Sequence, residues 1–167
     1  EIKDGLFMVN GVPVKVKGVN RHAWTPDKGH TLDRETMLTD IRLMKENNIN
    51  TVRNSHYPME REWYHLCDVY GLYMIDEVNI ESHGMGYGSA SLAKDPAWLP
   101  AHLDRSYRMY AKSKNHPSVT FMSLGNEAGN GINFEETYKW FKSQETNRPI
   151  QYERAEEAFN TDVYARM

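Results

Sequence analysis

The chain has 167 residues, 40% of them hydrophobic and 26% charged, enough for one globular domain with a substantial core. Its net charge of −3 supplies no basic field for nucleic acid or an acidic membrane surface. No apolar run reaches the roughly 20 residues of a membrane span, and Cys67, the single cysteine, excludes an internal disulfide and reads as a small buried thiol.

The chain opens directly on strand patterns, and Glu1-Ile2-Lys3-Asp4-Gly5 does not resemble a signal peptide. Leu6–Val9 and Val12–Val16 flank Asn10-Gly11, a pair that accepts positive φ at both turn positions, so a β-hairpin is predicted over residues 1–17. Pro13 puts that hairpin at an edge. Its second arm is predicted to run on into Gly18-Val19-Asn20-Arg21-His22. Asp33 caps a predicted helix with Met37, Ile41 and Met44 on one face. Thr51–His56 is a short strand. A helix with Trp63, Leu66 and Tyr70 inward stops at Gly71, and Leu72–Ile75 has the continuous apolar character of a strand buried on both faces.

A polar, glycine-containing stretch from Asn79 to Ser91 is long enough to suggest a functional loop. A helix near Asp95-Pro96 follows, with Leu99, Leu103, Tyr107 and Tyr110 at helical spacing. Val119–Leu124 is a strand. Asn133 with Glu136 resembles a capping box for a helix bearing Phe134, Tyr138 and Phe141. Ile150-Gln151-Tyr152 is a fifth strand, and Val163–Met167 is expected to begin a sixth. Both ends read as cuts through a longer fold.

Repeated strand–helix units imply a parallel α/β sheet, open or closed. No GxGxxG or phosphate loop follows the early strands, which argues against nucleotide-binding folds. Polar residues instead crowd successive strand ends: His22, His56, Glu81 with His83, then Asn126 with Glu127. Convergence at one rim favours a (β/α)8 TIM barrel, incomplete, spanning residues 18–167 with about five to six of its eight strands. Open edges and unburied apolar surface make the isolated segment prone to self-association.

Glycoside cleavage with retention needs one carboxylic acid to protonate the leaving oxygen and a second carboxylate to attack the sugar. Glu127 ends an apolar strand within Gly125-Asn126-Glu127-Ala128-Gly129, where the glycines would let a ligand approach and the apolar surroundings would favour the protonated acid. A solvated glutamate in a glycine-rich turn is the competing reading. Glu81 and His83 lie on one side of an extended segment, a pairing suited to Mg²⁺ and, through the imidazole, to Mn²⁺. A surface Glu–His pair is the blander alternative, and His22 and His56 read either as structural histidines or as donors to sugar hydroxyls. Arg53 points inward at the same rim, able to orient a carboxylate. Trp24 could stack on a sugar, whereas Trp63, Trp98 and Trp140 read as core. His30, His65, His102 and His116 read as structural. Asp76 and Glu77 are adjacent and face opposite ways, so both cannot reach one substrate.

The motifs GVNRH (18–22), SHYP (55–58), DEVNIESHG (76–84), NHPS (115–118) and SLGNE (123–127) occur in that order across the chain. Together they resemble the barrel domain of glycoside hydrolase family 2, and NIESHG resembles its large bacterial β-galactosidases rather than the sister β-glucuronidases and β-mannosidases. The resemblance implies Glu127 as general acid/base, Asn126 on the sugar 2-hydroxyl, and Glu81, His83 and Glu127 as protein ligands of Mg²⁺. It further implies His22 and His56 as sugar contacts and Arg53 as a buried active-site arginine. Ala23-Trp24-Thr25-Pro26 departs from the family's more histidine-rich pattern there. The family's nucleophilic glutamate comes from a later strand, and its monovalent-cation site lies outside these residues. Glu153 is the one late glutamate at a strand end, and it does not match the nucleophile's motif. The resemblance therefore implies a homo-oligomeric parent enzyme hydrolysing β-galactosides, with the segment inactive alone. A sister family 2 activity, β-glucuronidase or β-mannosidase, is one alternative, and a non-catalytic carbohydrate- or metal-binding remnant is another from a different class.

Overall fold

The computed structural model describes residues 1–145 and 147–165. Asp4-Gly5 and Asn10-Gly11 each place two successive residues at positive φ, 52° and 74° in the first turn, 50° and 77° in the second. These turns join β1 (Ile2–Lys3), β2 (Leu6–Val9) and β3 (Val12–Pro13) into an antiparallel sheet of order β1-β2-β3, with Pro13 on an edge strand as its missing N–H requires. The predicted hairpin is therefore present with a further strand before it. Its second arm ends at Pro13 rather than continuing to Val16. Phe7 packs against Phe121 (ring centroids 4.5 Å) and Tyr73 (6.4 Å), which sets this small sheet against the parallel one.

The rest is a run of strand–helix units: β4 (Gly18–Arg21), α1 (Arg34–Glu46), β5 (Thr51–Asn54), α2 (Arg61–Tyr70), β6 (Tyr73–Glu77), α3 (Leu99–Ser113), β7 (Val119–Ser123), α4 (Ile132–Gln144) and β8 (Ile150–Gln151). The five strands β4 to β8 pair in parallel in chain order, an incomplete barrel. The expected sixth strand reduces to an isolated parallel bridge between Val163 and Gln151; Arg166 and Met167 lie outside the described residues. Among the described residues no helix is long and apolar enough to cross a membrane.

α1 begins as expected, with the Asp33 carboxylate accepting from Thr36 N–H at 2.9 Å and Met37, Ile41 and Met44 buried. α2 ends at Gly71 with φ 67°, but its buried set is Trp63, Tyr64, Leu66 and Cys67. Tyr70, in the last turn, is exposed instead. Burial pushes the Cys67 thiol up to about 12.

The predicted faces of the later helices need correction. α3 buries His102, Ser106, Met109 and Ser113, not Leu99, Leu103 and Tyr107. Ser106 and Ser113 donate to the carbonyls of His102 (2.8 Å) and Met109 (3.0 Å) one turn back, so small polar residues sit satisfied against the sheet. The outward aromatics Tyr107 and Tyr110 pack on Trp140 of α4. Trp98 is exposed, because it lies in a 3-10 turn (Pro96–Trp98) ahead of α3 and does not share that helix's phase. Asn133 is no cap. α4 starts after Gly131, and the buried Asn133 amide donates to Leu92 O and Asp95 O, both at 2.8 Å, tying the helix to the long β6–α3 connection.

Between the sheet and α2, the fully buried Asp76 accepts from Asn54 Nδ2 and Tyr64 OH, each at 2.8 Å, while Trp63 Nε1 donates to Asn54 Oδ1. Burial holds the Asp76 carboxyl above the usual carboxylate range. Arg21 stacks on Trp63, 3.7 Å from the ring centroid, and bonds Asp40 of α1. This outward polar layer locks the helices to the strands whose other faces build the site.

Candidate active site

Strand alternation decides which residues face the barrel interior. Asn20 pairs with Arg53 across β4 and β5, and Glu77 pairs with Ser123 across β6 and β7. Their side chains meet on the side away from the helices. Arg53 donates to both Glu77 oxygens (Nε at 2.7 Å, Nη2 at 3.0 Å), to Asn126 Oδ1 at 2.8 Å and to Asn20 Oδ1 at 3.3 Å. Glu77 is 0% exposed and also receives Ser123 Oγ and the His56 ring, both at 2.7 Å. A buried carboxylate with this many donors is compensated, and it fixes Arg53 and His56 in place.

The reading of Asp76 and Glu77 as facing opposite ways holds, with Asp76 turned to the helices and Glu77 to the interior. The sequence alone does not single out Glu77 as a site residue. The signal that finds it is an inward carboxylate beside an inward arginine on the neighbouring strand.

Above this floor, Asn126 accepts from Arg53 and donates from Nδ2 to Glu81 Oε1 at 2.8 Å. Glu81 and Asn126 also share a parallel backbone bridge, which brings the β6–α3 connection to the end of β7. His83 Nδ1 lies 3.4 Å from Glu81 Oε1. One ligand atom from each of Glu81, His83 and Glu127 falls within 4.8 Å of the others. Two carboxylates and one imidazole at that spacing suit a hard divalent cation, with open positions for water or substrate.

Glu127 has φ +40° and its Oε1 lies 3.5 Å from Arg154 Nη2. Arg154 stacks on Tyr87, 4.2 Å from its centroid, so the exposed β6–α3 connection reaches over to the end of β8. Burial holds the Glu153 carboxyl above its usual range.

The flanking glycines serve a different purpose from the one expected. A Cβ at Gly125 would lie 2.6 Å from Ile80 O, and one at Gly129 would lie 2.7 Å from Ser91 Oγ. The missing side chains admit the neighbouring connection, which delivers Glu81 and His83, rather than a ligand.

His22 is exposed at the end of β4, its ring 5.1 Å from that of His56 and near perpendicular to it. Partial burial of the ring, then the adjacent His56, lowers its pKa. Trp24 is exposed beside it. Its backbone is tied to the strand end by Trp24 N–H to His22 O at 3.1 Å, and the Thr25–Gly29 bridge follows. His30, His102 and His116 bond Ala23 O, Trp98 O and Asp68. Thus His22, Arg53, His56, Glu81, His83, Asn126 and Glu127 all lie where four strands finish.

Residues 1–167 match the model of the glycosyl hydrolases family 2 TIM barrel domain. Among solved structures, the crystal structure of Ruminococcus gnavus β-glucuronidase aligns with TM-score 0.83 and 27% identity over 98% of this chain and 29% of that one. The same organism's enzyme in complex with D-glucuronic acid aligns with TM-score 0.77 and 29% identity over 90% of this chain and 26% of the other. The chain thus spans just over a quarter of the length of these relatives. With its motifs, its parallel sheet and a family match over all 167 residues, the chain belongs to the TIM barrel domain family of the family 2 glycosyl hydrolases.

Proposed function

We propose that these residues form the acid/base side of the active site of a retaining β-galactosidase, as part of a longer enzyme. The observation that supports this most is the gathering of Glu81, His83 and Glu127 within 4.8 Å, from segments more than 40 residues apart. In this reading Glu127 protonates the leaving oxygen of a terminal β-D-galactoside, then takes a proton from water in the second half-reaction. The attacking carboxylate belongs to a residue outside these 167. Asn126, oriented by Arg53 and Glu81, presents its amide to the sugar 2-hydroxyl. His22 and His56 donate to other hydroxyls, and Glu77 keeps His56 and Arg53 aligned for that purpose. Glu81, His83 and Glu127 would hold Mg²⁺ or Mn²⁺, whose charge favours the ionised form of nearby carboxylates.

A β-glucuronidase is the second reading, favoured by the Ruminococcus gnavus enzymes that the fold matches. A glucuronide needs a cationic or strongly donating group for its carboxylate. Arg53 and Arg154, which touch site residues, are already paired with Glu77 and Glu127. The test is a panel of aryl β-galactoside, β-glucuronide and β-mannoside on the longer enzyme. The galactoside is expected to lead by about 10⁴-fold in kcat/KM, the scale on which a site built to hydrogen-bond one substrate rejects an analogue that leaves its polar groups unpaired. A preference for the glucuronide would transfer the assignment to the sister activity.

A further inference from the structure

We infer that Glu153 is a positioning residue for Glu127, acting through the backbone of the acid/base rather than on the sugar. The inference rests on the acid/base reading of Glu127. Glu153 follows β8 in a 3-10 turn (Glu153–Ala155) and is 6% exposed. Its Oε1 accepts the Glu127 N–H at 2.7 Å, and its Oε2 is buried with no partner among the described residues. An attacking carboxylate must face the anomeric carbon with a free oxygen. Here one oxygen is committed to a main-chain amide and the other is buried.

The need for such a clamp is visible in the main chain. Glu127 sits at φ +40°, a region that residues with a side chain seldom occupy and that surrounding contacts must enforce. Three successive N–H groups are held by different partners: Asn126 by Ile80 O at 2.8 Å, Glu127 by Glu153, and Ala128 by Tyr152 OH at 3.3 Å. Tyr152 is itself fixed, donating to Gly129 O at 2.5 Å and stacking on Phe134 with ring centroids 4.0 Å apart. Glu153 supplies the middle contact, at the residue whose side chain must meet the leaving oxygen. Loss of that acceptor frees Glu127 to relax from the left-handed region and swing its carboxyl away.

The test compares two galactosides in the longer enzyme: an alkyl galactoside, whose leaving group needs protonation, and a dinitrophenyl galactoside, whose leaving group does not. Glu127→Ala is the control and must hurt the alkyl substrate far more; equal losses would overturn the acid/base reading itself. Given that control, Glu153→Met, which keeps volume and removes the acceptor, is expected to lower the alkyl-to-aryl ratio of kcat by about 10-fold or more. Glu153→Gln, which keeps an acceptor oxygen, is expected to restore most of the ratio. An unchanged ratio in a folded Glu153→Met enzyme overturns the inference, because a merely structural residue lowers both rates together. If Glu153→Met does not fold, Glu153→Asp, which withdraws the acceptor by one methylene, takes its place with the same two outcomes.

Discussion

Glu127→Gln in the longer enzyme is expected to lower kcat on alkyl β-galactosides by about 10²–10⁴-fold, the usual contribution of a positioned general acid. Glutamine preserves the shape of the side chain and the main-chain contact to Glu153. It cannot release a proton to the leaving oxygen, and it presents a neutral oxygen where Glu81 and His83 converge. Two measurements separate these effects. Steady-state rates on substrates of graded leaving-group acidity report the lost proton, with the defect shrinking as the leaving group becomes more acidic. Activity as a function of added Mg²⁺ reports the altered ligand set. A uniform defect across all leaving groups would assign Glu127 to binding or structure.

Glu77→Leu is expected to destabilise the domain by about 3–5 kcal/mol, the cost of removing one partner from a buried ion pair. The Glu77 side chain is fully buried, and Arg53 is 20% exposed. Leucine would leave the guanidinium, the Ser123 hydroxyl and the His56 ring without their shared acceptor. The change is read as a lowered urea midpoint at unchanged m-value. Any residual activity should fall as well, because Arg53 also orients Asn126. Stability within about 0.5 kcal/mol of the parent, the range of ordinary surface substitutions, would show that Glu77 is not the centre of this network.

Elements governed by local chemistry were legible in the sequence. Asn10-Gly11, the Asp33 cap and the Gly71 stop all appear, because a turn or cap depends on a few adjacent residues. Asp4-Gly5 carries the same turn signal as Asn10-Gly11 but was missed, since the strand before it is only two residues long. The alternation of strands with helices gave the parallel topology, and the polar strand ends located the rim. What failed was reading a face from hydrophobicity where polar groups pair internally. Ser106 and Ser113 lie inward because they bond their own helix, and Asn133 lies inward because it bonds the facing connection. Glu77 faces the interior as its alternation with Asp76 requires, but its place in the network does not show in local spacing, since its partners Arg53, His56 and Ser123 come from different strand ends. The glycines of Gly125–Gly129 were given to the ligand because their long-range neighbours, Ile80 and Ser91, are invisible to local spacing.

In the proposed site Glu81, His83 and Glu127 share one divalent cation at the mouth of the barrel. Crystals of the longer enzyme grown with Mn²⁺ in place of Mg²⁺, measured at the manganese absorption edge, test it most directly. A single anomalous peak is expected at these strand ends, bonded to one atom from each of the three side chains, and it should vanish in Glu81→Ala. A strong peak elsewhere with none between these residues, at an Mn²⁺ concentration that saturates activity, would contradict it.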